Sequence, residues 1–258
     1  MAGAPGSRDA SAVGPPPFGT VELLAAVAGA VRVLDAGCGS GRLTIQLAGG
    51  GAEVTGIDTN AERLAQARRR ATALGVELRL VEADFDAPLP FADASFDAVT
   101  SRLSLMIATD PVATLREFRR VLEPDGSLAT AVWASPAENP WFAVPREAIA
   151  AVLGPERASF GRAFGRMGDP DEAAAAHRSA GLRDVEARVL RERVVVADAA
   201  DHWARLARDN GHFRRVTAAL SETERVALAA EIDTRLAPYR EGDQLSLPRT
   251  LVLVTARS

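Results

Sequence analysis

One stretch constrains the fold more than any other. The apolar run Val31 to Asp35 delivers a carboxylate into a turn with glycines at 37, 39 and 41, and a helical pattern follows from near Ser40. This order reads as a buried strand, a sharp backbone turn and a helix, the opening unit of a parallel sheet covered by helices. The glycines also let a nucleotide-like ligand approach without meeting a Cβ. A dinucleotide fingerprint would place its third glycine where Arg42 stands and would rarely set Asp35 beside a pyrophosphate. A partly buried Asp is costly unless paired, so Asp35 suits a ligand that brings a positive amino group.

The rest of the chain repeats the alternation. Strands are predicted at about 31–36, 52–58, 76–82, 96–101 and 127–133, with a strand-like run over 183–196 and a last strand at 250–256. Helices are predicted over 60–74, ended by Gly75, and over 110–122, where Asp110 and Pro111 form an N-terminal signal. Others are expected near 144–153, 170–180 and between 199 and 238. The expected fold class is α/β, a mostly parallel sheet with helices on both faces and helical insertions in the C-terminal half.

Composition narrows the function. The chain has 258 residues, 47% of them hydrophobic, enough for one large domain over 18–258 behind a Gly, Ala and Pro rich tail at 1–17. Within that domain, 18–134 reads as the ligand-binding half and 135–258 as substrate-cover elements with the last two strands. A net charge of −4 argues against nucleic acid and anionic membrane partners. The apolar stretch at 21–34 is too short to span a bilayer, which needs roughly 20 residues. Every cation is Arg, which removes phosphate-loop and Schiff-base lysines. Cys38 is the single cysteine, and His177, His202 and His212 are too scattered for a zinc site. The expectation is a cytoplasmic, metal-free protein whose oligomeric state is left open, a homodimer being one option.

The second and third strands also end in acids. Asp58, with Thr59 beside it, lies 23 positions after Asp35, about one helix and one strand on, and Asp84-Phe85 closes the third strand. A carboxylate at the second strand end can accept both hydroxyls of a ribose, and one at the third can accept from an adenine amino group.

With those residues, the run Ser95-Phe96-Asp97-Ala98-Val99 and the run Arg120-Val121-Leu122-Glu123-Pro124-Asp125-Gly126, the chain resembles the class I S-adenosylmethionine-dependent methyltransferases. The likeness is to the branch of the ubiquinone and menaquinone C-methyltransferases. It implies a Rossmann-like, seven-stranded sheet whose last strand is antiparallel, with S-adenosyl-L-methionine over the carboxyl ends of the first strands. It further implies that Asp35 and the Gly37 backbone, with Gly39 and Gly41, meet the methionyl end, that Asp58 and Thr59 meet the ribose, that Asp84 and the Phe85 amide meet the adenine, and that Ser101 lies near the methyl. Asp125 departs from the pattern, since many relatives carry Gly there.

The substrate side is less legible. Trp141, Phe142, Phe160 and Phe164 crowd an irregular stretch after the fifth strand, where aromatics can wall off an apolar acceptor or simply pack. Arg102 can meet an acidic substrate group or pair with a local acid. His202, in Asp201-His202-Trp203, is the best candidate for a general base, though burial in a core is the commoner role for such a residue. The expected activity is methyl transfer to an O, N or C atom of a small apolar or aromatic metabolite, in biosynthetic tailoring. Two alternatives stay open: a cyclase that uses the bound sulfonium, and a non-catalytic regulatory subunit that keeps the nucleotide site.

Overall fold

The computed structural model describes residues 16–158 and 165–258. Phe160, Phe164 and most of the tail at 1–17 lie outside the described residues. The chain divides into two compact units, one of the residues up to Val132 with Asp169–Val189 and Val252–Ser258, the other of Trp133–Gly168 and Leu190–Leu251.

In the first unit, β1 (Arg32–Ala36) pairs in parallel with β2 (Glu53–Asp58) on one side and β4 (Phe96–Arg102) on the other. Next to β2 stands β3 (Arg79–Glu82), and next to β4 stands β5 (Leu122–Trp133), both parallel to their neighbours. With β6 (Arg183–Val196) and β8 (Gln244–Arg257), the sheet order is β3-β2-β1-β4-β5-β8-β6, and the two-residue β7 (Arg240–Glu241) pairs with β8 off this path. The Ser258 amide donates to Gly126 at 3.0 Å and the Ala134 amide to Thr250 at 3.1 Å, so β8 runs against β5, as the resemblance implies.

The buried strands form where the sequence is apolar on both faces: Val33, Leu34 and Ala36 of β1 are fully or almost fully buried. The helices form where apolar residues recur every three or four positions and a side chain caps the first turn. Helix α1 (Thr20–Ala26) precedes β1 and α2 (Arg42–Gly49) follows the glycine turn. Asn60 caps α3 (Ala61–Ala73), Asp110 caps α4 (Pro111–Val121) and Asp169 caps α6 (Pro170–Ser179), each through its carboxyl or amide oxygen on first-turn amides. Leu64, Ala67 and Ala71 of α3, and Leu115 and Phe118 of α4, bury the inner stripes.

The second unit has its own core, in which Phe142 and Ile149 of α5 (Pro140–Leu153) meet Phe213 of α8 (Gly211–Ala218) and Leu228, Ile232 and Leu236 of α9 (Glu222–Leu236). Helix α7 (Ala199–Asp209) contributes Leu206. Asn139 is fully buried and its amide is bonded at both ends: it donates to the Ala134, Ser135 and Thr250 carbonyls and accepts from the Thr250 amide at 2.8 Å.

Three starting boundaries differ by four or more residues from the sequence reading. Helix α5 starts at Pro140, four residues before the expected 144, because Pro140 sits at its first turn, where a missing N–H is harmless. Strand β5 starts at Leu122 through a register shift that carries Pro124 and Asp125, and β8 starts at Gln244 although Pro248 reads as a strand breaker.

Candidate functional site

In the order β3-β2-β1-β4-β5 the chain moves outward in one direction from β1 and then in the other from β4, which makes the carboxyl ends of β1 and β4 the topological switch point. Asp35 pairs in register with Gly56 of β2 and Thr100 of β4, so the glycine turn leaves the sheet at that point.

The turn is held from inside. Gly37 and Cys38 amides both donate to the Ile57 carbonyl at 2.9 Å, and the Gly41 amide donates to Cys38 at 3.0 Å. The Gly39 amide donates to Asp58 Oδ2 at 2.9 Å, while Asp58 Oδ1 accepts from the Asn60 amide at 2.9 Å. A pyrophosphate cradle needs such amides turned toward the ligand; these four are already bonded within the protein, which disfavours a dinucleotide.

The three glycines serve two different ends. All have positive φ, 75°, 55° and 79° at 37, 39 and 41. A Cβ on Gly37 would stand 2.3 Å from the Cβ of Ser104, and one on Gly41 would stand 2.8 Å from the Cβ of Ala67 in α3, so these two permit protein to pack on protein. A Cβ on Gly39 would meet nothing nearer than Arg63 and the Asp58 carboxylate, each 3.9 Å away. Gly39 therefore leaves open space beside Asp58, where a ligand can approach the carboxylate.

Asp35 is 1% exposed and points inward, with Oδ2 accepting from Thr44 at 2.6 Å and Oδ1 from Thr100 at 3.1 Å. Burial pushes its carboxyl up to about 6, against the opposing pull of the two hydroxyls and the Arg102 charge. Asp58 is half-buried, whereas Thr59 and Asp84 are exposed. The Asp84 carboxylate accepts from the Asp86 amide at 2.9 Å. Phe85 is buried edge-on to Phe118, 6.5 Å between centroids, and would touch a Gly37 Cβ at 3.4 Å. Asp58 and Glu82 are register partners, so Asp58 and Asp84 leave adjacent strand ends.

Ser101 is fully buried, with its Oγ 3.2 Å from Ser104 Oγ, and Ser104 donates to the Ala36 carbonyl at 2.9 Å. Arg102 donates through Nε and a terminal nitrogen to the Phe18 carbonyl at 3.3 and 3.1 Å, rather than standing as an open substrate anchor. Leu103 between them has φ of 61°, a left-handed conformation uncommon for a leucine. Sequence reasoning missed Thr44, Thr100 and Ser104. A hydroxyl nine residues after Asp35, on the inward face of the next helix, was a readable signal for Thr44; the other two depend on β4 lying next to β1.

The remaining candidates belong to the second unit. Phe142 is buried against Phe213 at 5.4 Å, and Trp141 lies 5.2 Å from Trp133 and 5.5 Å from Phe142, in an aromatic cluster rather than an irregular stretch. His202 is buried on α7, and burial pushes its imidazole down to about 4. Among the described residues, no group of His, Cys, Asp and Glu could hold a metal ion, and no helix is long and apolar enough to cross a membrane.

Comparison with known proteins agrees with this geometry. Residues 34–130, which span the turn, all three strand-end acids and the switch point, match a family model described as a methyltransferase domain. The demethylmenaquinone methyltransferase of Thermus thermophilus is 40% identical over 124 residues, 47% of this chain and 56% of that protein. The chain spans about half the length of the curated relatives it matches. Over nearly its whole length it shares a fold with a protein from Bacillus halodurans C-125, at 20% identity and a TM-score of 0.63, covering 93% and 99% of the two chains. A phosphoethanolamine N-methyltransferase from Haemonchus contortus, solved with S-adenosyl-L-methionine, has the same fold at 17% identity and a TM-score of 0.59, covering 93% of this chain and 52% of that one.

Proposed function

We propose that this protein binds S-adenosyl-L-methionine at the glycine turn and transfers its methyl group to an O, N or C atom of a small, apolar or aromatic metabolite. The observation that carries the reading is the open space over Gly39 beside the Asp58 carboxylate, in a turn whose amides are engaged internally. Each Asp58 oxygen accepts one backbone amide and keeps a lone pair, so a vicinal diol can donate to both. Asp84 stands at the next strand end for the adenine amino group, and Phe85 supplies a buried ring beneath. Asp35 is the counter-charge for the methionyl ammonium, held under the turn by Thr44 and Thr100. The cofactor would supply an electrophilic methyl on a sulfonium. The chain need only position donor and acceptor, an effect worth on the order of 7–11 kcal/mol when the reacting atoms are held in near-attack geometry.

Calorimetric titration with S-adenosylhomocysteine tests the binding step. Saturable binding is expected for the wild type, with Asp58→Ala weaker by about 10- to 100-fold, the size of losing hydrogen bonds to a charged acceptor. No binding by the wild type would overturn the assignment. Release of S-adenosylhomocysteine in step with acceptor consumption separates methyl transfer from a cyclase or a purely regulatory role.

A further inference from the structure

Two acids follow β3, and they are engaged differently. Asp84 Oδ1 accepts from the Asp86 amide at 2.9 Å and the Asp84 carbonyl from the Ala87 amide at 3.3 Å, which closes a tight turn. The other carboxylate oxygen of Asp84, Oδ2, and the Phe85 amide have no partner among the described residues. Asp86, by contrast, engages the protein with both oxygens: Oδ2 accepts from the Thr109 amide at 2.9 Å and Oδ1 from the Thr114 hydroxyl at 3.2 Å.

The residues that hold Asp86 are themselves fixed. Thr109 directly precedes Asp110, whose side chain caps α4 through the Val112 and Ala113 amides, each at 3.0 Å. Thr114 is 2% exposed on the inner stripe of that helix, and Phe118, one turn further along the same face, is the ring against which Phe85 packs. The far end of the loop is tied to the same helix: the Leu89 amide donates to Glu117 at 2.8 Å, and Arg120 donates to the Leu89 and Phe91 carbonyls at 3.2 and 2.9 Å. The free acceptor on Asp84 and the free donor on Phe85 therefore stand on a loop that α4 grips at both ends, and the grip beside them is Asp86. Held still, such a pair can select a ligand; on a loose exposed loop the ligand would have to order it, at a cost in affinity.

We propose that Asp86 is a positioning residue for base selection: by clamping the loop to the start of α4, it holds Asp84 and the Phe85 amide in place to read the edge of a 6-aminopurine, whose amino group donates and whose N1 accepts. The inference rests on the assignment of the glycine turn to S-adenosyl-L-methionine, and adds which residue gives that site its preference for adenine. A 6-oxopurine reverses both polarities, setting an oxygen against Asp84 and an N–H against the Phe85 amide. With both its own oxygens engaged, Asp86 acts through these two neighbours.

The probes are S-adenosylhomocysteine and S-inosylhomocysteine, which differ only at the base edge, titrated calorimetrically into the full chain with thermal unfolding run alongside. The wild type is expected to prefer the adenosyl probe by about 100-fold, about 10-fold for each of the two hydrogen bonds. Asp86→Ala should cut that preference to below about 10-fold while moving the affinity for the inosyl probe by less than about 3-fold, since the ribose and methionyl contacts are untouched. Asp86→Asn keeps an oxygen for the Thr109 amide and gains an N–H for the Thr114 hydroxyl, so it should restore most of the preference. Thr114→Val, which removes one of the two anchors from the side of α4, should lower the preference by about 3-fold. A residue needed only for folding would instead weaken both probes equally and lower the melting temperature; that result, or an unchanged preference in Asp86→Ala, overturns the proposal. If Asp86→Ala does not fold, Thr114→Val decides: a reduced preference supports the proposal and an unchanged one overturns it. Equal affinity of the wild type for the two probes overturns it while the cofactor assignment stands, and binding of neither probe overturns both.

Discussion

At the scale of single residues, Asp35 is a charge held where stability alone would not put it. Burial raises its carboxyl to about 6, so as pH falls from above 6 toward 4 the folded state takes up a proton that the unfolded chain lacks, and the fold gains stability. Asp35→Asn removes this term while leaving an amide able to bond both threonines. The stability of the variant relative to wild type should be highest near pH 8 and should fall by on the order of 2 kcal/mol by pH 4, read by urea unfolding. Binding of S-adenosylhomocysteine should be lost at every pH. A variant that binds normally would mean that the acid serves the fold and not a ligand.

His177 behaves in the opposite sense. Its Nδ1 lies 2.7 Å from the Ala173 carbonyl and its Nε2 3.0 Å from Thr130 Oγ1, so it is buried, neutral and fully bonded. Burial lowers its imidazole to about 4. Between pH 6.5 and 4 the unfolded chain binds the proton first, and stability drops on acidification by on the order of 3 kcal/mol from this residue. His202 shifts in the same direction. His177→Gln should flatten the acid limb of stability against pH; an unchanged limb would assign acid sensitivity elsewhere.

At the scale of elements, the glycine turn and the entry of β5 each depend on one backbone conformation. Gly37→Ala combines a positive φ with a Cβ placed 2.3 Å from Ser104. We expect a loss of roughly 2–4 kcal/mol in chemical denaturation, partly restored by Ser104→Gly in a double-mutant cycle. Asp125, the departure from the pattern that the resemblance implies, has φ of 64°: the position is left-handed, so Gly would sit there without strain, and Asp is among the few other residues that tolerate it. Its side chain meets Arg183 at 2.8 Å in an exposed pair. Asp125→Val should therefore lower the melting temperature by an amount corresponding to about 1–2 kcal/mol, and Asp125→Gly should not. Equal loss in both would make the Arg183 pair the cause. Helices were legible because caps such as Asn60 and Asp110 act on amides two or three residues away. The start of β5 was not, because a register shift between Phe96 and Ala98 is a property of two strands and not of either sequence.

At the scale of the whole molecule, positive charge is carried by Arg alone, and it is spread over ion pairs with solvent-exposed members, such as Arg183–Asp125, Arg193–Glu241 and Arg240–Asp233. Pairs of this kind contribute about 0–1 kcal/mol each and are screened within a Debye length. Raising NaCl from 0.05 to 0.5 M should thus shift the unfolding free energy by less than about 1 kcal/mol. A larger loss would reveal a cooperative charge network.

By itself, the sequence determined the alternation of strands and helices, the left-handed glycine turn and the acids that end the first three strands, because each rests on residues within a few positions of one another. The tertiary structure decided what those residues do. Thr100 lies 65 positions from the carboxylate it holds, and Ser104 lies 67 from the glycine whose missing Cβ it replaces. It also decided that Arg102 is tied to Phe18, and that His202 Nε2 and Trp141 Nε1 are buried without hydrogen-bond partners among the described residues. Whether a buried polar group is satisfied depends on which distant strand or helix arrives beside it, and no local pattern encodes that.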